Sequence, residues 1–110
     1  MYLRKQYNEA FNYYNRCYDI VTRIAGTNGP KAIHYTLLCA ATKSYTADYI
    51  KAIPLYEHVL NLYKQRHEKT IEISLKLLTL YLKAKDSKNV FRIVDEIVIS
   101  IKVTTKIHIE

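Results

Sequence analysis

Three of the four residues most disruptive to a helix fall in one short run, Gly26-Thr27-Asn28-Gly29-Pro30, and only Pro54 lies outside it. A sheet-rich chain of 110 residues would need turn residues scattered along its length. Helices joined by short polar links would not. The apolar residues agree. From Tyr2 to about Ala25, Leu3, Tyr7, Ala10, Phe11, Tyr14, Cys17, Tyr18, Val21 and Ile24 recur at three- and four-residue intervals, one stripe of an amphipathic helix. Gly26 ends this helix, and Pro30 suits the first turn of the next. The second helix, about Pro30 to Ser44, is apolar on more than one face through Ala32, Ile33, Leu37, Leu38, Cys39, Ala40 and Ala41. Such a helix belongs between two neighbours.

Asp48 is a good N-cap for a third helix reaching about Arg66. Pro54 inside it removes a hydrogen bond and clashes with the preceding turn, which predicts a bend near the helix start. A fourth helix is predicted from about Lys69 to Ala84, and a fifth begins at a cap formed by Asp86 or Ser87. The segment from Ile99 to Glu110 alternates with a period of two and is rich in β-branched residues. A strand, a helix end with a frayed tail, and an arm that adds to a partner's sheet are all open for it. The division adopted is a helical domain over 1–103 and an extended or frayed tail over 104–110.

The composition, 49% hydrophobic and 25% charged, is that of a globular chain. No run approaches the ~20 apolar residues that span a bilayer, so membrane insertion is not expected. The net charge of +7 raises the question of nucleic acid. Yet the basic residues are spread from Arg4 to Lys106, and the densest group, Lys83, Lys85, Lys88 and Arg92, has no interleaved stacking aromatics. It reads as a solvated face that favours acidic protein partners, with no nucleic acid. Cys17 and Cys39 both lie on apolar faces and read as reduced packing residues of a cytoplasmic protein, with a disulfide between them as the rival reading.

The odd-numbered helices repeat one another. Gln6 to Cys17, Asp48 to Val59 and Asp86 to Ile97 align, with Tyr7, Tyr49 and Ser87 in register at spacings of 42 and 38 residues. Tyr49, Ala52 and Tyr56, and less closely Ala10 and Tyr14, resemble the second helix of a tetratricopeptide repeat, in which aromatic and small residues alternate along the packing face. Ala52-Ile53-Pro54-Leu55-Tyr56 is similar to the longer repeat of kinesin light chains, where a proline at this point is usual. Departures are Lys43, where an aromatic belongs late in the first helix of a repeat, and Val90, where a small residue belongs. The resemblance implies an all-α fold of antiparallel helix pairs stacked as a right-handed solenoid. Five helices make about two and a half repeats.

The resemblance also implies function: a scaffold or adaptor that binds a partner's peptide or subunit on its concave face. Carried across, that face is His34, Leu37, Leu38 and Ala41 from the second helix and Glu72, Lys76, Thr79 and Lys83 from the fourth. It suits a ligand mixing apolar and acidic residues. The rival role is a subunit built permanently into a cytoskeletal, axonemal (ciliary) or organellar complex. The chain opens on the second helix of a repeat, so the expectation is that Tyr7, Ala10, Phe11 and Tyr14 lie bare and meet another polypeptide, making an oligomer or part of a larger complex. No motif indicates an enzyme. His34, His58, His67 and His108 lack metal-ligand spacing, Gly26 to Gly29 lacks the lysine of a phosphate loop, and no nucleophile motif occurs. No cofactor or metal is expected.

Overall fold

A computed structural model describes the backbone of residues 2–109 and the side chains of residues 4–102. It contains α1 (Tyr2–Ala25), α2 (Pro30–Tyr45), α3 (Tyr49–Gln65), α4 (Ile71–Lys83) and α5 (Ser87–Ile109), with no strand among the described residues. The punctuation acts where the sequence places it. Gly26 adopts φ +86° after α1, and Pro30 opens α2. The Asp48 carboxylate caps α3 by accepting the Lys51 N–H at 3.4 Å. Asp86, rather than Ser87, caps α5: its carboxylate accepts the backbone N–H of Asn89 at 3.3 Å and its side-chain amide at 2.7 Å. Those two hydrogen bonds hold the Asp86 carboxyl below the usual range. Pro54 leaves α3 unbroken.

Three links end on a device the sequence does not advertise. Ala47, His67 and Lys85 adopt φ of 59°, 56° and 58°, each one position past a helix's last-turn cap. The residue after each of them donates its N–H five positions back: Asp48 to Lys43, Glu68 to Tyr63 and Asp86 to Tyr81. These are Schellman turns, built here without glycine. The tail over 104–110 was expected to be extended or frayed; the described backbone of α5 runs as helix through residue 109, and Glu110 lies outside the described residues. β-branched residues cost only a few tenths of a kcal/mol each in a helix, and no glycine or proline follows Pro54 to stop it.

Each helix packs on the next, α1 on α2 through to α4 on α5, and links this short make neighbours antiparallel. As its two-faced pattern requires, α2 is sandwiched between α1 and α3. The fully buried Ala40 of α2 and Ala52 of α3 share one core cluster with Val59, Leu60, Leu77 and Ile93. The molecule is a slab of 49 × 36 × 19 Å with a radius of gyration of 15.5 Å. A compact ball of this length would have about 13 Å, so the helices form a drawn-out layer rather than a bundle.

A polar bolt crosses that layer. Arg92 of α5 donates to Glu57 of α3 at 2.7 Å and lies 3.5 Å from Glu96, which Lys64 of α3 reaches at 2.8 Å. The Tyr81 hydroxyl of α4 donates to the same Glu57 oxygen at 2.9 Å. Burial, then this hydrogen bond and the charge of Glu57, push the Tyr81 phenol up to about 12. Arg92 therefore departs from the basic surface group to which its position in sequence assigned it. Both cysteines are free thiols; Cys39 is buried, and that burial pushes its thiol up to about 11.

Candidate protein-binding surfaces

The face shared by α2 and α4 is built from rows spaced three and four residues apart. On α2, Ala41, Ser44 and Tyr45 line a depression of about 240 Å³, met from α4 by Lys76, Thr79, Leu80 and Lys83 and from α3 by Tyr56. The floor is apolar and the α4 wall is cationic. Lys76 Nζ lies 6.0 Å from the centroid of the Tyr56 ring, the outer limit of a cation–π contact. Neither Lys76 nor Lys83 makes an ion pair among the described residues. Tyr56 is 3% exposed; burial raises its phenol, against a hydrogen bond to Ser44 that lowers it.

Of the eight residues expected on the concave face, Ala41, Lys76, Thr79 and Lys83 come together in this depression. The other four do not line it. His34 is exposed with its ring edge-on to Tyr35 at 5.3 Å, Leu37 packs against the core, Leu38 is half-buried and Glu72 is exposed. Tyr45 and Tyr56 escaped sequence reasoning for separate reasons. The predicted α2 stopped at Ser44, one residue short of the position that places Tyr45 on the Leu38–Ala41 row. Tyr56 was read as a seam residue, and it is one, but its ring also closes the floor.

The α1 stripe is a second correction. Tyr7 stacks on Tyr45 of α2 with ring centroids 5.1 Å apart, and the Lys43 ammonium lies 4.0 Å from the centroid of Phe11. Tyr7, Ala10, Phe11 and Tyr14 are all half-buried. The rings of Tyr7 and Phe11 thus fold onto this chain's own α2 and are not bare. The repeat register explains the error. Tyr7, Phe11 and Tyr14 align with Tyr49, Ile53 and Tyr56, which in α3 pack in or against the core, Tyr56 lining the depression opposite α4, the helix that follows. The stripe belongs to the downstream neighbour, which the chain itself supplies.

Among the described residues no group of three or more His, Cys, Asp or Glu could hold a metal ion. No described helix is long and apolar enough to cross a membrane. The α2/α4 depression thus lies on a series of antiparallel helices whose sequence repeats about every forty residues. The sequence model of the tetratricopeptide repeat family matches residues 1–65, more than half of the chain and all of α1 to α3. The chain belongs to the tetratricopeptide repeat family, whose members bind other proteins. No curated protein and no solved structure matches it.

Proposed function

We propose that this chain is an adaptor that holds a partner's segment, mixing acidic and apolar residues, in the depression between α2 and α4. The carrying observation is that Lys76 and Lys83, with no ion pair of their own among the described residues, flank an apolar floor of Ala41, Tyr56 and Leu80. Carboxylates of the ligand meet the two ammonium groups, and its apolar side chains cover the floor. The stack extends this as a right-handed solenoid of the long-repeat, kinesin-light-chain-like kind, supported by Ala52-Ile53-Pro54-Leu55-Tyr56 and by the long spacing between repeats. Two free cysteines suit a reducing, cytoplasmic setting.

Fluorescence anisotropy against an array of labelled peptides combining glutamate and leucine tests this reading. Lys76→Glu with Lys83→Glu is expected to weaken the best binder about tenfold and to turn its loss of affinity in salt into a gain. Equal affinity in parent and variant at both low and high salt would remove the depression from the function. A second role, permanent incorporation in a cytoskeletal, ciliary or organellar assembly, has one observation in its favour, the apolar surface that α5 leaves open.

A further inference from the structure

The repeat register fixes what each position of α5 ought to touch. With Ser87 aligned to Tyr49, residues Phe91, Val94, Val98 and Ile101 occupy the positions of Ile53, Tyr56, Leu60 and Tyr63 in α3. In α3, Tyr56 and Leu60 are buried and Ile53 and Tyr63 pack against the core that α3 shares with α2 and α4, where Tyr56 meets Lys76 and Leu80 of α4. In α5 the four counterparts are 70%, 38%, 41% and 50% exposed. Their spacing of three and four residues makes them one stripe. It lies beside the row through which α5 meets its own neighbours, where Val90, Ile93 and Ile97 join the core. So α5 carries two apolar faces and fills one. A continuous open apolar stripe of this kind marks an interaction surface.

The stripe also has a charged edge. Lys88, Asp95 and Lys102 follow one another at seven-residue spacing along the side away from the core; all three are exposed, and none forms an ion pair among the described residues. That edge is net basic on a chain already at +7, which opposes a second copy and favours an acidic visitor. The occupant for which the positions are shaped is a helix that mimics what α4 offers to α3.

We infer that the Phe91–Val94–Val98–Ile101 face of α5 docks an amphipathic helix of a partner polypeptide, with an α4-like apolar seam and net acidic flanks. This surface is separate from the α2/α4 depression. It works by helix packing, with apolar side chains interlocking along about three turns and carboxylates of the partner set against Lys88 and Lys102.

The test uses the whole chain and a fluorescein-labelled peptide with the sequence of residues 70–84 carrying Lys76→Glu and Lys83→Glu. Saturable binding is expected, weakened about tenfold or more when the chain carries Val98→Glu or Phe91→Glu, each on an exposed site that leaves the melting temperature in place. The same chain with Lys76→Glu and Lys83→Glu should bind the peptide as the parent does. Loss of binding in that groove variant, with none in the α5 variants, would overturn the inference while supporting the groove. Absence of binding to the parent would also overturn it. So would a parent dimer by light scattering that Val98→Glu converts to monomer, since the occupant would then be a second copy.

Discussion

Helices α3 and α5 are copies of one pattern with different surroundings. Along α3, Ala52, Tyr56, Val59, Leu60 and Leu62 are all buried, because α2 lies on one side and α4 on the other. Among the described side chains of α5 only Ile93 is fully buried, although Val90, Val94, Ile97 and Val98 match those positions in apolar character. The difference lies in the number of neighbours, not in the residues. In a stacked repeat, burial is a property of the position in the array, and one helix's sequence reports only the faces it is able to bury.

Truncating one matched pair gives the sharpest test of that statement. Leu60→Ala should cost about 2–5 kcal/mol, and Val98→Ala at the equivalent site of α5 less than about 1 kcal/mol, both read from urea midpoints. Equal costs would mean that α5 is enclosed by something in solution. The small residue of the pattern comes next. Ala52→Leu should overpack a seam with neighbours on both sides and cost about 1–3 kcal/mol, whereas α5 already accommodates Val90 there. A parental midpoint for Ala52→Leu would show the register of α3 to be wrong.

Arg92 joins the two helices being compared, so its removal asks how far their difference depends on that tie. Arg92→Ala is expected to lower stability by about 1–2 kcal/mol, modest because the ion pairs are partly solvated. A double-mutant cycle with Glu57→Gln should return most of that as coupling. The smallest effect concerns the turns that lead into α3 and α5. Ala47→Gly and Lys85→Gly should each stabilise the chain, by up to about 1 kcal/mol, since glycine adopts a left-handed conformation without a Cβ penalty. Matching increments in thermal melts would show that the entry turns are equivalent and that the contrast arises beyond them.

Much of this was legible in the residues. Gly26, Pro30, Asp48 and Asp86 each start or stop a helix where their chemistry says they should, and the register of Tyr7, Tyr49 and Ser87 placed the helices in two classes. Ala41, Lys76, Thr79 and Lys83, which the tetratricopeptide resemblance set on one face, line the same α2/α4 depression. What failed depends on neighbours or on cumulative energies. A stripe such as Tyr7–Phe11–Tyr14 says that a helix covers it, but not whether that helix lies upstream or downstream. Arg92 looks like a surface charge until Glu57 and Glu96 are placed beside it. Ala47, His67 and Lys85 carry no mark of a left-handed turn, because hydrogen bonds formed by their neighbours hold them there. Over 104–109 alternation of β-branched residues does not by itself stop a helix, which is why the period of two left several conformations open there.

The ion pairs that reach past a helix have a consequence for how the molecule comes apart. A stack joined only through adjacent members unravels from its ends, one member at a time, with a broad transition. Here Glu57–Arg92 and Lys64–Glu96 connect α3 directly to α5, and Arg66 donates to the Asn28 carbonyl in the link between α1 and α2. Releasing α5 therefore strips partners from α3 as well, which raises the cost of local opening toward that of global unfolding. Amide protons near the start of α5 would then exchange together with those of α3. Salt, by screening the stitches, would let the end of the array open on its own.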